Sequence, residues 1–388
     1  MDTTLAQMPI IDIDTHLTEP PSLWLDHAPA RLRERAPRVI QNSAGNEQWI
    51  VDRDTVLGPP GFCVIKKDGD KVYGTFSLQS FAEMTPGASY AKPRLAHMDD
   101  LGLSVQILYP NILGFAGAGI MKIQDLELRN FCVTGYNDGM GALQQEGRGR
   151  LYPQALLPFW DIHLCVKEIE RCRKDLGLRG FTMTDSPELW GLPALSDPYW
   201  DPLWSRAQEF GMPVNFHIGS GGPTSGGASI WPGMSTGRVL ASISTTLFMN
   251  NMRCLINLIF SGLLDRYPRL NFVSVESGIG WLPFLLEACE YQMRENTIDR
   301  DGLELTPKEY FQRQIYASFW FENEDVPHAI ERLGADNIMF ETDYPHPTCL
   351  YPGVKEQVQT CLGGLDRTVQ RKILHENAAR VYGIELPS

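Results

Sequence analysis

The residues of this chain best suited to chemistry are carboxylates and imidazoles at the ends of apolar runs. The first set lies in Ile10-Ile11-Asp12-Ile13-Asp14-Thr15-His16. The isoleucines read as a short buried strand, because β-branched side chains fit a pleated surface. Residues two apart on a strand share a face, so Asp12, Asp14 and His16 are expected to point the same way. Three ionisable groups on one buried face are costly unless something charged meets them. A divalent cation is the economical partner, since carboxylate oxygen and neutral imidazole nitrogen both ligate it. The other use of an Asp-x-His pair at a strand end is hydrogen bonding to nearby backbone. Further along, His217 ends the run from Pro213, Glu276 ends the run from Asn271, and Asp343 ends the run from Asn337. His346 follows at once, across the Tyr344-Pro345 turn.

Regular alternation must position these groups. Runs starting at Val105, Leu151, Gly180, Pro213, Asn271, Ile315 and Asn337 read as strands, and helical patterns separate them. A helix ends at Gly102, another covers 123–145, and a third over 164–176 is expected to be capped by Gly177. With the strand at Ile10 this makes eight, which predicts a (β/α)₈ TIM barrel of the α/β class, one domain over 1–388. The rival, a doubly wound sheet, lacks a Gly-x-Gly-x-x-Gly after its first strand. Segment 41–93 departs from the alternation. Trp49-Ile50-Val51 and Lys71-Val72-Tyr73-Gly74 resemble strands there, and the segment is expected to be a hairpin and lid inserted near the barrel mouth. Barrels of this kind gather catalytic groups at the C-terminal ends of their strands. Asp14, His16, His217, Glu276, Asp343 and His346 all fall there as candidate metal ligands, with Glu276, Asp343 and His346 also candidates for the chemical step.

Composition narrows the class. The chain has 388 residues, 43% hydrophobic and 21% charged, as a globular protein does. Its net charge of −13 argues against nucleic acid and anionic membranes as partners. No apolar run reaches membrane-spanning length, and Met1-Asp2-Thr3-Thr4 lacks the pattern of a signal peptide, so a cytoplasmic location is expected. The eight cysteines include no Cys-x-x-Cys pair and are expected to be reduced and buried. Phe159, Trp160, Met183, Trp190, Trp231, Phe319 and Trp320 lie at or beyond strand ends and suggest an apolar pocket. Arg179, Arg238 and Arg294 are candidate partners for a substrate carboxylate.

Four motifs then stand in order along nearly the whole chain. They are Asp14-Thr15-His16 with Glu19-Pro20, Phe216-His217-Ile218-Gly219, Glu341-Thr342-Asp343-Tyr344-Pro345-His346, and Asn377-Ala378-Ala379-Arg380-Val381-Tyr382-Gly383. Together they resemble the amidohydrolase-related family that includes aminocarboxymuconate-semialdehyde decarboxylase. The resemblance implies a metal-dependent barrel enzyme, commonly oligomeric, that performs non-oxidative decarboxylation, hydration or hydrolysis. Asp14, His16, His217 and Asp343 would be its primary ligands. Two positions depart from the pattern: Asp14 replaces the usual His or Glu, and Glu276 stands where a histidine usually transfers a proton.

The expected activity is hydrolysis or decarboxylation of a small, carboxylate-bearing organic molecule, with zinc, manganese or iron as the cation. Glu276 could act as a general base on a water acidified by the cation. It could instead join His346 and a bridging Asp in holding a second ion. That second use makes a dinuclear iron or iron/manganese oxygenase the alternative function. A catalytically silent barrel, paired with an active paralogue in a hetero-oligomer, is a further alternative to a homo-oligomeric enzyme.

Overall fold

The computed structural model describes residues 5–221, 231–296 and 302–386. Met1–Thr4, the stretch that bears on localisation, lies outside the described residues. The strands are β1 (Ile11–His16), β2 (Arg38–Gln41), β3 (Glu47–Val51), β4 (Thr55–Gly58), β5 (Val105–Tyr109), β6 (Leu151–Pro153), β7 (Phe181–Thr182), β8 (Val214–His217), β9 (Phe272–Val275), β10 (Ile315–Phe319) and β11 (Ile338–Phe340). β1, β5 and β6 form one parallel sheet, and β7 to β11 form a second in chain order. Single parallel bridges, Thr15 with Tyr344 and Ala155 with Phe181, lie between the two sheets. Helices alternate with these strands, as buried parallel strands require of their crossovers.

The expected strand at Gly180 shrinks to two residues, and the one at Leu151 to three. Lys71 to Gly74 is no strand; Lys71 makes an isolated bridge with Ile65. Residues with β propensity extend only where a neighbouring backbone pairs with them. The helix expected to end at Gly177 stops at Lys174, and Gly177 adopts φ +73° three residues later.

Apolar residues sort into two large layers. One lies between strands and helices, with Trp24, Trp204, Phe216 and Phe272 among its members. The other collects Ile11, Ile13, Val105, Ile107, Val273, Val275 and Met339 with Val381 and Tyr382 of the closing helix Asn377–Tyr382. Tyr382 donates its hydroxyl to Asn215 Oδ1 at 2.7 Å, and Asn377 Nδ2 donates to the carbonyls of Ala335 and Ile338. The closing helix is thereby tied to β8 and to the start of β11.

β2, β3 and β4 form a separate antiparallel sheet, beginning at Arg38. The chain that follows packs Cys63, Val64, Ile65, Leu78, Met84 and Ala88 against Tyr344 and Cys349, beside the candidate ligands after β11. Arg94, fully buried, binds this segment to β1: its guanidinium donates to the carbonyls of Gly87 and His16 at 2.8 and 2.5 Å and to Thr15 Oγ1 at 3.2 Å. The fork shape of arginine suits these divergent acceptors.

Candidate metal centre

β1 does not alternate evenly. Its register against β5 shifts between Asp12 and Thr15, so three steps on β1 match two on β5, as in a bulge. This corrects the expectation that Asp12 shares a site with Asp14 and His16. Asp12 instead accepts from Thr342 N at 2.8 Å, Thr342 Oγ1 at 2.7 Å and Gln106 Nε2 at 3.1 Å. It joins the strands, while Asp14 and His16 turn to the cluster.

His16 and His217 face each other, Nε2 to Nε2, at 3.0 Å. The other nitrogen of each ring meets a backbone carbonyl: His16 Nδ1 that of Pro110 at 3.3 Å, and His217 Nδ1 that of Ile218 at 2.8 Å. A carbonyl can only accept, so both rings carry their proton on Nδ1 and turn a lone pair inward. Two lone pairs cannot hydrogen-bond each other. Carboxylates surround them. Asp14 Oδ1 lies 3.6 Å from His16 Nε2 and 3.4 Å from His217 Nε2, and Glu276 Oε2 lies 3.1 Å from His217 Nε2. Asp343 Oδ1 lies 3.6 Å from His16 Nε2 and 3.2 Å from His346 Nδ1. Donors about 2.1 Å from one ion sit roughly 3.0–3.4 Å apart at octahedral or tetrahedral angles, so the spacing fits a transition metal.

Two overlapping groups emerge: Asp14, His16, His217 and Glu276, and His16, Glu276, Asp343 and His346, each with donor atoms within 4.8 Å of one another. The two groups together contain all six candidate metal ligands named from the sequence, and not Asp12. Both Asp14 oxygens, Asp343 Oδ1 and His346 Nε2 are buried without a hydrogen-bond partner in the protein. Burial, and then the charges of Asp343 and Asp12, push the Asp14 carboxyl well above its ordinary range. Burial, then Asp343, Asp14 and Glu341, do the same to Glu276. Burial pushes His217 down to about 4 and His16 downward too, so both imidazoles stay neutral, the form that ligates. A cation reverses the carboxylate shifts and relieves the repulsion. The donor set fits a divalent ion.

Local structure fixes these side chains. Glu276 and Asp343 follow β9 and β11 with φ of 56° and 58°, a left-handed conformation uncommon for residues other than glycine. Glu276 N donates to Glu341 Oε2 at 3.2 Å, and Thr348 Oγ1 donates to Asp343 Oδ2 at 2.5 Å. The His346 ring stacks on His16, 3.6 Å between centroids. Glu19 accepts from the backbone N–H groups of Asn111 and Ile112, which anchors the loop after β5.

A cavity of about 270 Å³ opens beside the cluster, bordered by Glu276 and His346. Its aromatic wall is Phe62, Phe76, Phe115 and Phe248, not the set expected from sequence. Phe159, Met183, Phe319 and Trp320 are core residues, and Trp231 is 77% exposed. Trp160 donates to Asn130, and Trp190 packs on Phe159. Arg179, Arg238 and Arg294 do not border it either. Phe62 and Phe76 belong to segment 41–93 but lie past β4, where the irregular backbone gave no periodic signal. Phe115 was findable, since it lies just past the strand end at Tyr109 and packs on His217 at 4.1 Å.

Comparison with known proteins agrees with this geometry. A γ-resorcylate decarboxylase from Polaromonas sp. (strain JS666) is 26% identical over 269 residues, covering 65% of this chain and 76% of that protein. An amidohydrolase from Mycobacterium avium subsp. paratuberculosis K-10 has a similar fold, with TM-score 0.74 and 20% identity over 97% of this chain and 99% of its own. A dihydroxybenzoic acid decarboxylase from Polaromonas sp. JS666, solved with bound manganese and 2-nitroresorcinol, has TM-score 0.60 and 19% identity, covering 97% of each chain. These relatives lend the oxygenase alternative no support. The Amidohydrolase family model matches residues 11–384, from the first strand to just past the closing helix, and the chain belongs to that family.

Proposed function

We propose that this chain is a divalent-metal enzyme that removes carbon dioxide from a small organic acid without net oxidation, with hydrolysis as the second chemistry open to the same centre. The observation that carries this reading is the pair of imidazole lone pairs meeting at 3.0 Å beside unpartnered Asp14 and Asp343 oxygens. Asp14, His16, His217 and Asp343 are the ligands, and Glu276 and His346 stand at the cavity. When bound, the cation attracts the substrate's acidic group and stabilises negative charge that builds as the bond breaks. Zinc, manganese and iron all suit such donors, and the manganese in a relative of similar fold favours manganese. Glu276, Asp343 and His346 leave room for a second ion, as the overlap of the two groups suggests.

Decarboxylation breaks the bond to the carboxyl carbon, releases carbon dioxide and leaves an electron pair on the remaining carbon, which must gain one proton. Glu276 borders the cavity and is placed to hold and deliver that proton, taking the part a histidine plays in the family pattern. His346 Nε2, buried and unpartnered, is the second group at hand.

The reading includes a closed (β/α)₈ barrel as a single domain, because bridges at Thr15 and Ala155 lie between the two sheets on both sides. Segment 41–93 is its lid, supported by Phe62 and Phe76 on the cavity wall. The assembly is a homo-oligomer, or a hetero-oligomer with a paralogue. The apolar helix Thr236–Phe248, which has no buried residue, is the surface such a contact would cover. Eight cysteines, all buried and unpaired, suit the reducing cytoplasm.

The test is carbon dioxide release from hydroxybenzoic acids by manganese-loaded protein. Asp14→Asn and His217→Ala should each lower the rate at least about 10²-fold. Undiminished release from metal-stripped protein would overturn the proposal.

A further inference from the structure

Of the residues that border the cavity, the ionisable ones are Glu276 and His346, both part of the metal cluster. Among the described residues no lysine or arginine borders it. A substrate can therefore place one anionic group against the cation, but a second would be buried without a partner, which is costly. The rest of the wall is mostly apolar: Phe62, Phe76, Phe115 and Phe248 supply four rings, while Ser244 and Thr348 add hydroxyls, that of Thr348 donating to Asp343 Oδ2.

Asn111 is the one amide on that wall among the described residues. It is 2% exposed, and neither its Oδ1 nor its Nδ2 has a hydrogen-bond partner in the protein. Its backbone is held by Glu19, so the side chain is not needed to fix the loop. Pro110, its neighbour in sequence, accepts from His16 Nδ1, which puts Asn111 at the rim beside the cation site. A buried amide left unpaired by the protein costs stability unless something else satisfies it. It can donate and accept at once, as a hydroxyl group does.

We propose that Asn111 reads an uncharged hydroxyl or carbonyl substituent, and that the cavity takes an acid with one anionic group on an apolar, aromatic body. The inference rests on the metal-dependent reading above and assigns the specificity of that same site.

The test is calorimetric titration of manganese-loaded protein with benzoate, 2- and 3-hydroxybenzoate and benzene-1,3-dicarboxylate. The better hydroxybenzoate should bind about three- to tenfold more tightly than benzoate. The dicarboxylate should bind at least about tenfold more weakly. In Asn111→Leu the hydroxyl advantage should vanish, benzoate should bind as before, and the melting temperature should hold, since two unpaired polar atoms have been removed. Asn111→Ala, which also removes both polar atoms, should show the same loss of discrimination if the leucine does not fit. A hydroxyl advantage that survives both variants, an equal weakening of all four acids, or tight binding of the dicarboxylate would overturn the inference alone. If no acid bound in a manganese-dependent way, this inference and the metal-dependent function would both fall.

Discussion

Glu276 shows what a single residue can and cannot disclose. Its place at a strand end is readable from the run Asn271 to Val275, and the structure puts its Oε2 3.1 Å from His217 Nε2. Its role is not readable, because a carboxylate can serve as a ligand or as a proton carrier. Glu276→Gln keeps the shape and removes the charge. If Glu276 moves the proton, the variant should bind one cation normally and lose turnover by about 10²–10⁴-fold. If it ligates a second ion, that ion should be lost while the first remains. Full activity with unchanged metal content would exclude both roles. Asp12 is the opposite lesson. Period-two alternation placed it with Asp14, and the bulge in β1 sent it to Thr342 and Gln106 instead. A bulge depends on the pairing partner, so no pattern within β1 announces it.

At the scale of elements, the parallel strands were legible because buried β-branched runs alternate with helices. Segment 41–93 was legible only in part: Trp49-Ile50-Val51 falls in β3, and the rest was not readable. Its packing depends on Tyr344 and Cys349, far away in sequence, and on Arg94 holding the carbonyls of Gly87 and His16. His97, on the same helix as Arg94, stacks near Tyr344 and Tyr351, with centroids 4.5 and 5.1 Å away. Burial, and then the charge of Arg94, push it from 6.5 down to about 4, and Asp100 opposes the shift. As pH falls, the unfolded chain takes up this proton before the folded one does. The stability His97 confers is therefore complete above about 6.5 and is lost as pH falls toward about 4. His97→Phe should flatten melting temperature against pH in that window. An acid limb unchanged from wild type would show that other groups set it.

At the scale of the whole molecule, the chain brings candidate ligands from residue 14 to residue 346 into one cluster. Burial alone would make that cluster a liability, with Asp14, Glu276 and Glu341 all held toward their protonated forms. A cation turns the same arrangement into a stabilising one, so metal and fold should be linked. The most direct measurement is metal content per chain by elemental analysis after exhaustive dialysis, wild type against His217→Ala, paired with the melting temperature of each. The account predicts at least one tightly held divalent ion per wild-type chain, none in the variant, and a fall in wild-type melting temperature when the ion is stripped. Wild-type protein that retains no more metal than His217→Ala, even after incubation with manganese, zinc or iron(II), would contradict it.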